Sequence, residues 1–174
     1  LGAARIRQRA KEGYDVVINH VSDSSKAIAK KLAEEVKEQY GVGAVTFQGN
    51  IKDYDTCKAM IDTGIEAFGD KIAVMINNAG LQHNKLFTEL TPEEYMELIS
   101  VELFGTMHCT HIVLPYMQKQ REGCIINISS ICGLYGEPRQ TDYDAAKSAM
   151  HGFSRGLARE NAEYNIRINV IAHG

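Results

Sequence analysis

Short runs of β-branched and apolar residues alternate along this chain with longer stretches of helical apolar period. That alternation marks βαβ units in a parallel sheet covered on both faces. Five runs read as strands, at 15–19, 44–48, 72–76, 124–128 and 166–171, each apolar nearly throughout, as a doubly buried strand should be. Helices fill the gaps. The stretch 24–40 is stopped by Gly41 and 53–68 by Gly69, both glycines where a left-handed C-terminal residue is needed. Thr91-Pro92-Glu93-Glu94 offers the cap, the N1 proline and the N3 glutamate of a capping box. The helix it opens is expected to reach about Gln118 with a bend near Gly105, and a last helix spans 142–162. The expected fold is α/β with a doubly wound parallel sheet, in a single domain over 1–174. The chain opens on a helical pattern, Gly2–Lys11, and stops at Gly174 just after a strand. A doubly wound sheet places its first strand centrally. Residues are therefore expected beyond both termini, supplying the first strand and a C-terminal lid or last strand. An intact mass of 19.3 kDa would refute this.

Composition narrows the class. With 174 residues, 44% hydrophobic and 24% charged, the chain has room for one globular core. A net charge of -3 and the absence of a basic run argue against a nucleic-acid partner. Cys57, Cys109, Cys124 and Cys132 form no C-x-x-C pair, which suits a reducing compartment. No apolar leader is present and no stretch approaches bilayer length, so a cytoplasmic protein without membrane contact is expected. The six histidines lack metal-site spacing; His108 and His111 read as an exposed or subunit-facing helix surface, and no metal is expected.

The chemistry centres on Tyr143 and Lys147, four residues apart and so on one face of a helix. Tyr54 and Lys58 share that spacing but lack a serine at the end of a preceding strand, and read as a solvated face. Ser130 stands thirteen residues before Tyr143, just after a buried strand, at the sheet edge where open α/β sheets bind ligands. Ser129-Ser130 would also suit a strand-end turn and Tyr143 a packed aromatic. If a hydride moves to or from carbon, a proton must move at the oxygen, and an acid/base must touch that oxygen. A phenol, with a reference pKa of about 10, can do this near neutral pH only if an adjacent cation draws it down. Lys147 is placed to be that cation.

Ile76-Asn77-Asn78-Ala79-Gly80, then Asn127-Ile128-Ser129-Ser130, then Tyr143-x-x-x-Lys147 stand in the order and spacing of the short-chain dehydrogenase/reductase family, which the chain resembles over essentially its whole length. The likeness extends to its 3-oxoacyl-thioester reductases. It implies a Rossmann fold, with Tyr143 as acid/base. Lys147 would lower its pKa and hold the nicotinamide ribose, and Ser130 would orient the substrate oxygen. Asn78, Ala79, Gly80 and Gly174 would lie beside the cofactor, Asn50 and Ile51 beside adenine, and residues 136–140 beside the substrate. Leu1-Gly2 matches the end of the family's phosphate-binding loop. Arg5 and Arg9 fall where its first helix buries aliphatic side chains.

Two departures bear on catalysis. Glu102 occupies the place of the asparagine that completes the family's proton relay, which makes the candidate catalytic set Ser130, Tyr143, Lys147 and Glu102. A carboxylate beside Lys147 would offset its pull on Tyr143, so a weakened enzyme is expected, and Glu102→Asn should raise turnover. His173 stands where the family has proline. His20 ends the second strand of the family pattern, where an acid would select NAD; its absence leans the choice towards NADP, with NAD open. The resemblance thus implies an NAD(P)-dependent oxidoreductase interconverting a carbonyl and a secondary alcohol, in a homotetramer or dimer formed through 92–118 and 142–162. The alternative is a nucleotide-binding relative with little activity that acts as a scaffold or regulatory subunit.

Overall fold

The computed structural model describes residues 2–174, so Leu1 of the expected phosphate-loop remnant lies outside the described residues. Parallel β-α alternation is present throughout. The described residues fall into two compact units, one up to Lys71 and one from Ile72.

In the first unit, α1 (Gly2–Lys11), β1 (Val16–His20), α2 (Asp23–Tyr40), β2 (Ala44–Gln48) and α3 (Tyr54–Phe68) follow in order. The two strands pair in parallel from Val16 opposite Ala44 to His20 opposite Gln48, which sets their carboxyl ends side by side. Ala10, Val16, Ile18, Ala29, Leu32, Ala33, Val36 and Ala44 form the core. Each large aliphatic side chain there stabilises the unit by about 1.5–3 kcal/mol. On α1 the inward residues are Ala3, Ile6 and Ala10. Arg5 and Arg9 are half-buried instead, and Arg9 pairs with Glu12 at 2.8 Å. α3 approaches β1 closely through Gly64, where a Cβ would lie 2.8 Å from Val17.

The second unit carries β3 (Val74–Asn77), α4 (Pro92–Ile99), α5 (Gly105–Gln120), β4 (Gly123–Ser130), α6 (Cys132–Tyr135), α7 (Thr141–Glu160) and β5 (Ile166–His173). Its sheet order is β3-β4-β5, all parallel. The parallel pairing expected as one sheet is thus present as two, because no described strand joins β1 to β3. α5 packs on β3 and β4, and α7 on β4 and β5.

Local details refine the sequence reading. The box at Thr91 forms: its hydroxyl accepts from Glu94 N at 3.3 Å, and the Glu94 carboxylate accepts from Thr91 N at 3.0 Å. Gly41 is left-handed at φ 68°, ψ 20°, but Gly69 is not, with φ 86° and an extended ψ of 174°. The bend expected near Gly105 is a π-helical turn, Ser100–Phe104, joining α4 to α5. Together they make a 29-residue helical stretch, Pro92–Gln120, with an 18-residue window of mean hydropathy 1.2, long enough to cross a bilayer. That corrects the reading that no stretch approaches this length; Leu98, Val101, Cys109, Val113 and Met117 within it are buried in the protein core. The doubly buried reading also fails for β5, where Arg167, Asn169 and Ile171 are exposed at alternate positions. β4 extends through Ser130, because β5 continues to pair with it up to His173 opposite Ser130. Ser130 therefore ends the strand rather than following it.

Candidate active site

β4 ends at Ser130, and the chain turns at once into α6, whose Cys132 N–H donates to the Ser130 hydroxyl at 3.2 Å. α7 begins at Thr141 and brings Tyr143 and Lys147, one turn apart, onto the carboxyl end of β4. Ser130, Tyr143 and Lys147 meet there: the Ser130 hydroxyl is close enough to favour the ionised phenol of Tyr143, and the Lys147 ammonium lies 5.3 Å from the centre of the Tyr143 ring. Lys147 Nζ donates to Ile128 O at 2.7 Å.

Glu102 completes the group from the π turn. Its Oε2 lies 2.7 Å from Lys147 Nζ, and its Oε1 accepts from Leu81 N at 3.0 Å. Oε2 and the ammonium thus form an ion pair, while another N–H of Lys147 serves Ile128 O. Gly80 leaves room beside the carboxylate, because a Cβ there would press on Glu102 Oε1. A π turn adds a residue to one helical loop and recurs at functional sites. Here it seats the buried Glu102 beside Lys147.

Electrostatics follow from this burial. Removal from water pushes the Glu102 carboxyl above the ordinary carboxylate value, against the pull of Lys147 and of the Leu81 N–H. Tyr143 is also pushed up, first by burial and then by the Glu102 charge, while the Ser130 hydrogen bond pulls it down; Cys132 and Asp144 add smaller upward pushes. The sequence reading had Lys147 drawing the phenol down. The opposite direction has a plain cause: burial of the phenol comes first, and the Glu102 charge beside Lys147 adds to it.

The other expected residues lie as follows. Asn78, Ala79 and Gly80 follow β3 directly, and Gly174 follows β5, with its Cα side against Ile131. His173 ends β5, where its carbonyl accepts from Ile131 N at 3.0 Å. Gly2, His20, Asn50 and Ile51 belong to the first unit. His20 ends β1, its Nδ1 3.3 Å from Ser22 O. Asn50 turns the chain after β2, its side-chain oxygen accepting from Lys52 N at 3.1 Å, and Ile51 is buried.

Several partners were missed in the sequence. His83 Nδ1 lies 2.8 Å from Asp142 Oδ2, which ties the segment after β3 to the start of α7 beside Tyr143. Asn84 accepts from Arg139, whose carbonyl accepts from Lys85 N. Asn77 donates to Asn127 at 2.8 Å and Asn127 to Ser154 at 2.8 Å, a buried polar chain across β3, β4 and α7. Asp142 next to Tyr143 was a usable signal; the identity of its partner, 59 residues away, was not. No three described His, Cys, Asp or Glu side chains are grouped as a metal site would require.

Residues 1–174 match the family described as short chain dehydrogenase. A 3-oxoacyl-[acyl-carrier-protein] reductase, FabG, of Staphylococcus aureus strain Mu50 is 36% identical over 174 residues, covering 100% of this chain and 69% of that protein. The FabG protein of Thermotoga maritima is 36% identical over 176 residues, again covering 69% of its length. Among solved structures, NAD+-bound xylitol dehydrogenase superposes with a TM-score of 0.88 at 25% identity over 98% of this chain. The chain spans 64% of that solved chain, somewhat under two thirds. On the match over its full length, this chain belongs to the short-chain dehydrogenase family of oxidoreductases.

Proposed function

We infer that the chain works as one dinucleotide-binding catalytic domain that interconverts a carbonyl and a secondary alcohol with a nicotinamide cofactor. The observation that carries this reading is the meeting of Ser130, Tyr143 and Lys147 at the carboxyl end of β4. When bound, the cofactor supplies or accepts the hydride. The chain's own residues do the rest. The Ser130 hydroxyl orients the substrate oxygen, and Tyr143 gives or takes its proton. Lys147, with Ile128 O and Glu102 fixing its ammonium, holds the cofactor ribose with a remaining N–H. The residues suit such a group: Asn19 Oδ1, next to His20 at the end of β1, is buried without a hydrogen-bond partner, and a buried orphan acceptor favours a donor from a ligand. Asn50, Ile51 and Gly2 would serve the adenosine and phosphate side, and Asn78, Ala79, Gly80 and Gly174 the nicotinamide side. With no acid at His20, NADP is favoured over NAD.

Location and assembly follow the same reading: a cytoplasmic homo-oligomer, tetramer or dimer, with a small carbonyl or alcohol as substrate. The exposed Met96, Phe104 and Met107 on the α4–α5 stretch support self-association. A second reading, nucleotide binding with little turnover, is favoured by one contact, the engagement of the Lys147 ammonium by Glu102.

Turnover of NADPH and NADH against a panel of ketones and 3-oxoacyl thioesters tests the reading. Activity is expected with at least one of them, and Tyr143→Phe should reduce it by about 10²–10⁴-fold while leaving cofactor binding in place. Cofactor binding with no turnover across the panel would select the second reading.

A further inference from the structure

Lys147 and Glu102 form a closed charge pair inside the site. Both side chains are almost out of water, and each is fixed by a backbone group besides its partner: Ile128 O holds the ammonium and Leu81 N holds the carboxylate. Gly80 leaves the space that the carboxylate fills. The cation that would make a phenol acidic is thus cancelled within one hydrogen-bond length. No other described side chain restores it. On α7 Asp144, an acid, pushes Tyr143 upward, and on α6 the Cys132 thiol acts in the same direction. His83 is occupied with Asp142, and His151 with the Ser129 hydroxyl. β4 contributes the neutral Ser130, and Leu81 a backbone N–H.

We propose that Glu102 is a positioning residue acting through Lys147, a fixed counter-ion that keeps the site electroneutral, so that Tyr143 delivers a proton to a carbonyl but withdraws one from an alcohol only in alkaline solution. This rests on the oxidoreductase reading above and gives it a direction, reduction. In that step the carbonyl carbon takes a hydride from the reduced nicotinamide and the C=O π bond opens. The oxygen takes the phenolic proton, and solvent returns a proton to the phenolate. The reverse step needs a phenolate at the outset, and with the Lys147 charge already balanced by Glu102 no net positive charge is left to stabilise one.

The test is a direct titration of Tyr143, with no substrate required. The chain is labelled with ¹³C at the tyrosine Cζ, and the Tyr143 signal is assigned by its loss in Tyr143→Phe. In the intact chain Tyr143 should ionise above the ordinary phenol value. In Glu102→Gln its midpoint should fall by about one pH unit or more, a tenfold gain in acidity. Glu102→Asp, which keeps the charge, should leave the midpoint high, and Glu102→Asn should repeat the drop if the glutamine variant does not fold. Equal midpoints in the intact chain and in a folded Gln or Asn variant would overturn the proposal. NADPH binding, followed by its fluorescence, is read separately on the same samples. Failure to bind counts against the oxidoreductase reading, and leaves the titration to judge the counter-ion role. With an active alcohol substrate, the oxidation pH profile of Glu102→Gln should move down by the same tenfold step.

Discussion

Lys147 Nζ and Glu102 Oε2 stand 2.7 Å apart, with the two side chains only 5% and 1% exposed. Removing one partner of such a pair strands the other charge in the interior, at a cost of about 3–5 kcal/mol, whereas replacing both by apolar groups can be nearly neutral. Lys147→Met should therefore destabilise the fold by that amount, and Lys147→Met with Glu102→Leu should recover most of it. Chemical denaturation of the three proteins checks this; a double variant no more stable than the single one would refute it.

Gly80 and Glu102 make a second coupled pair. A methyl group at Gly80 would press on Glu102 Oε1 and meet Cδ at 3.0 Å, and the carboxylate is pinned by Leu81 N and Lys147. Gly80→Ala should cost about 1–3 kcal/mol, the range for overpacking. In a Glu102→Ala background that cost should shrink, since the obstructing atoms are gone. The same loss in both backgrounds would count against the contact.

The chain Asn77–Asn127–Ser154 is buried at all three residues. Asn127→Ala would leave the Asn77 amide and the Ser154 hydroxyl each short of a partner, at about 1–3 kcal/mol per stranded group. Asn127→Leu, which fills the space without the hydrogen bonds, should be no less stable than the alanine variant. Thermal unfolding followed by circular dichroism measures both, and a loss within experimental error for Asn127→Ala would refute the network's contribution.

Stability should also depend on pH through Glu102. Its carboxyl is raised above the ordinary 4.5, chiefly by burial, so the folded chain holds this proton longer than the unfolded one. The associated stabilisation is complete below the unfolded value and is lost as pH rises through the folded value. Glu102→Gln cannot titrate there. Between acid and neutral pH the intact chain should lose stability relative to that variant, measured as a difference in Tm at each pH. A difference that stays flat or runs the other way would refute the direction.

Much of this was readable from residue pattern because the signals are local. Apolar runs marked all five strands to within two residues at their starts, and the Thr91 box and the turn at Gly41 follow from side-chain and backbone chemistry within a few positions. Ser130, Tyr143 and Lys147 stood out through their spacing, and Glu102 as a departure from it. What escaped depends on distant partners. The carboxylate of Glu102 was foreseen near Lys147, but not that burial of the phenol, with that charge added, would reverse the expected shift at Tyr143. The π turn at Ser100–Phe104 leaves no sequence mark beyond the neighbouring Gly105, and the His83–Asp142 contact joins residues that nothing in the pattern relates. The open side of β5 is legible in the alternation of Arg167 and Asn169 between its apolar residues.

The segment at 81–86 and the turn before α7 are stitched by contacts at both levels: backbone from Lys85 N to Arg139 O at 3.1 Å, and side chain from Arg139 to Asn84 and from His83 to Asp142. Tethered at three places, these stretches cannot shift one at a time. A displacement of His83 therefore loads Asp142 and the helical turn bearing Tyr143, so the position of this segment and the aim of that phenol are mechanically linked.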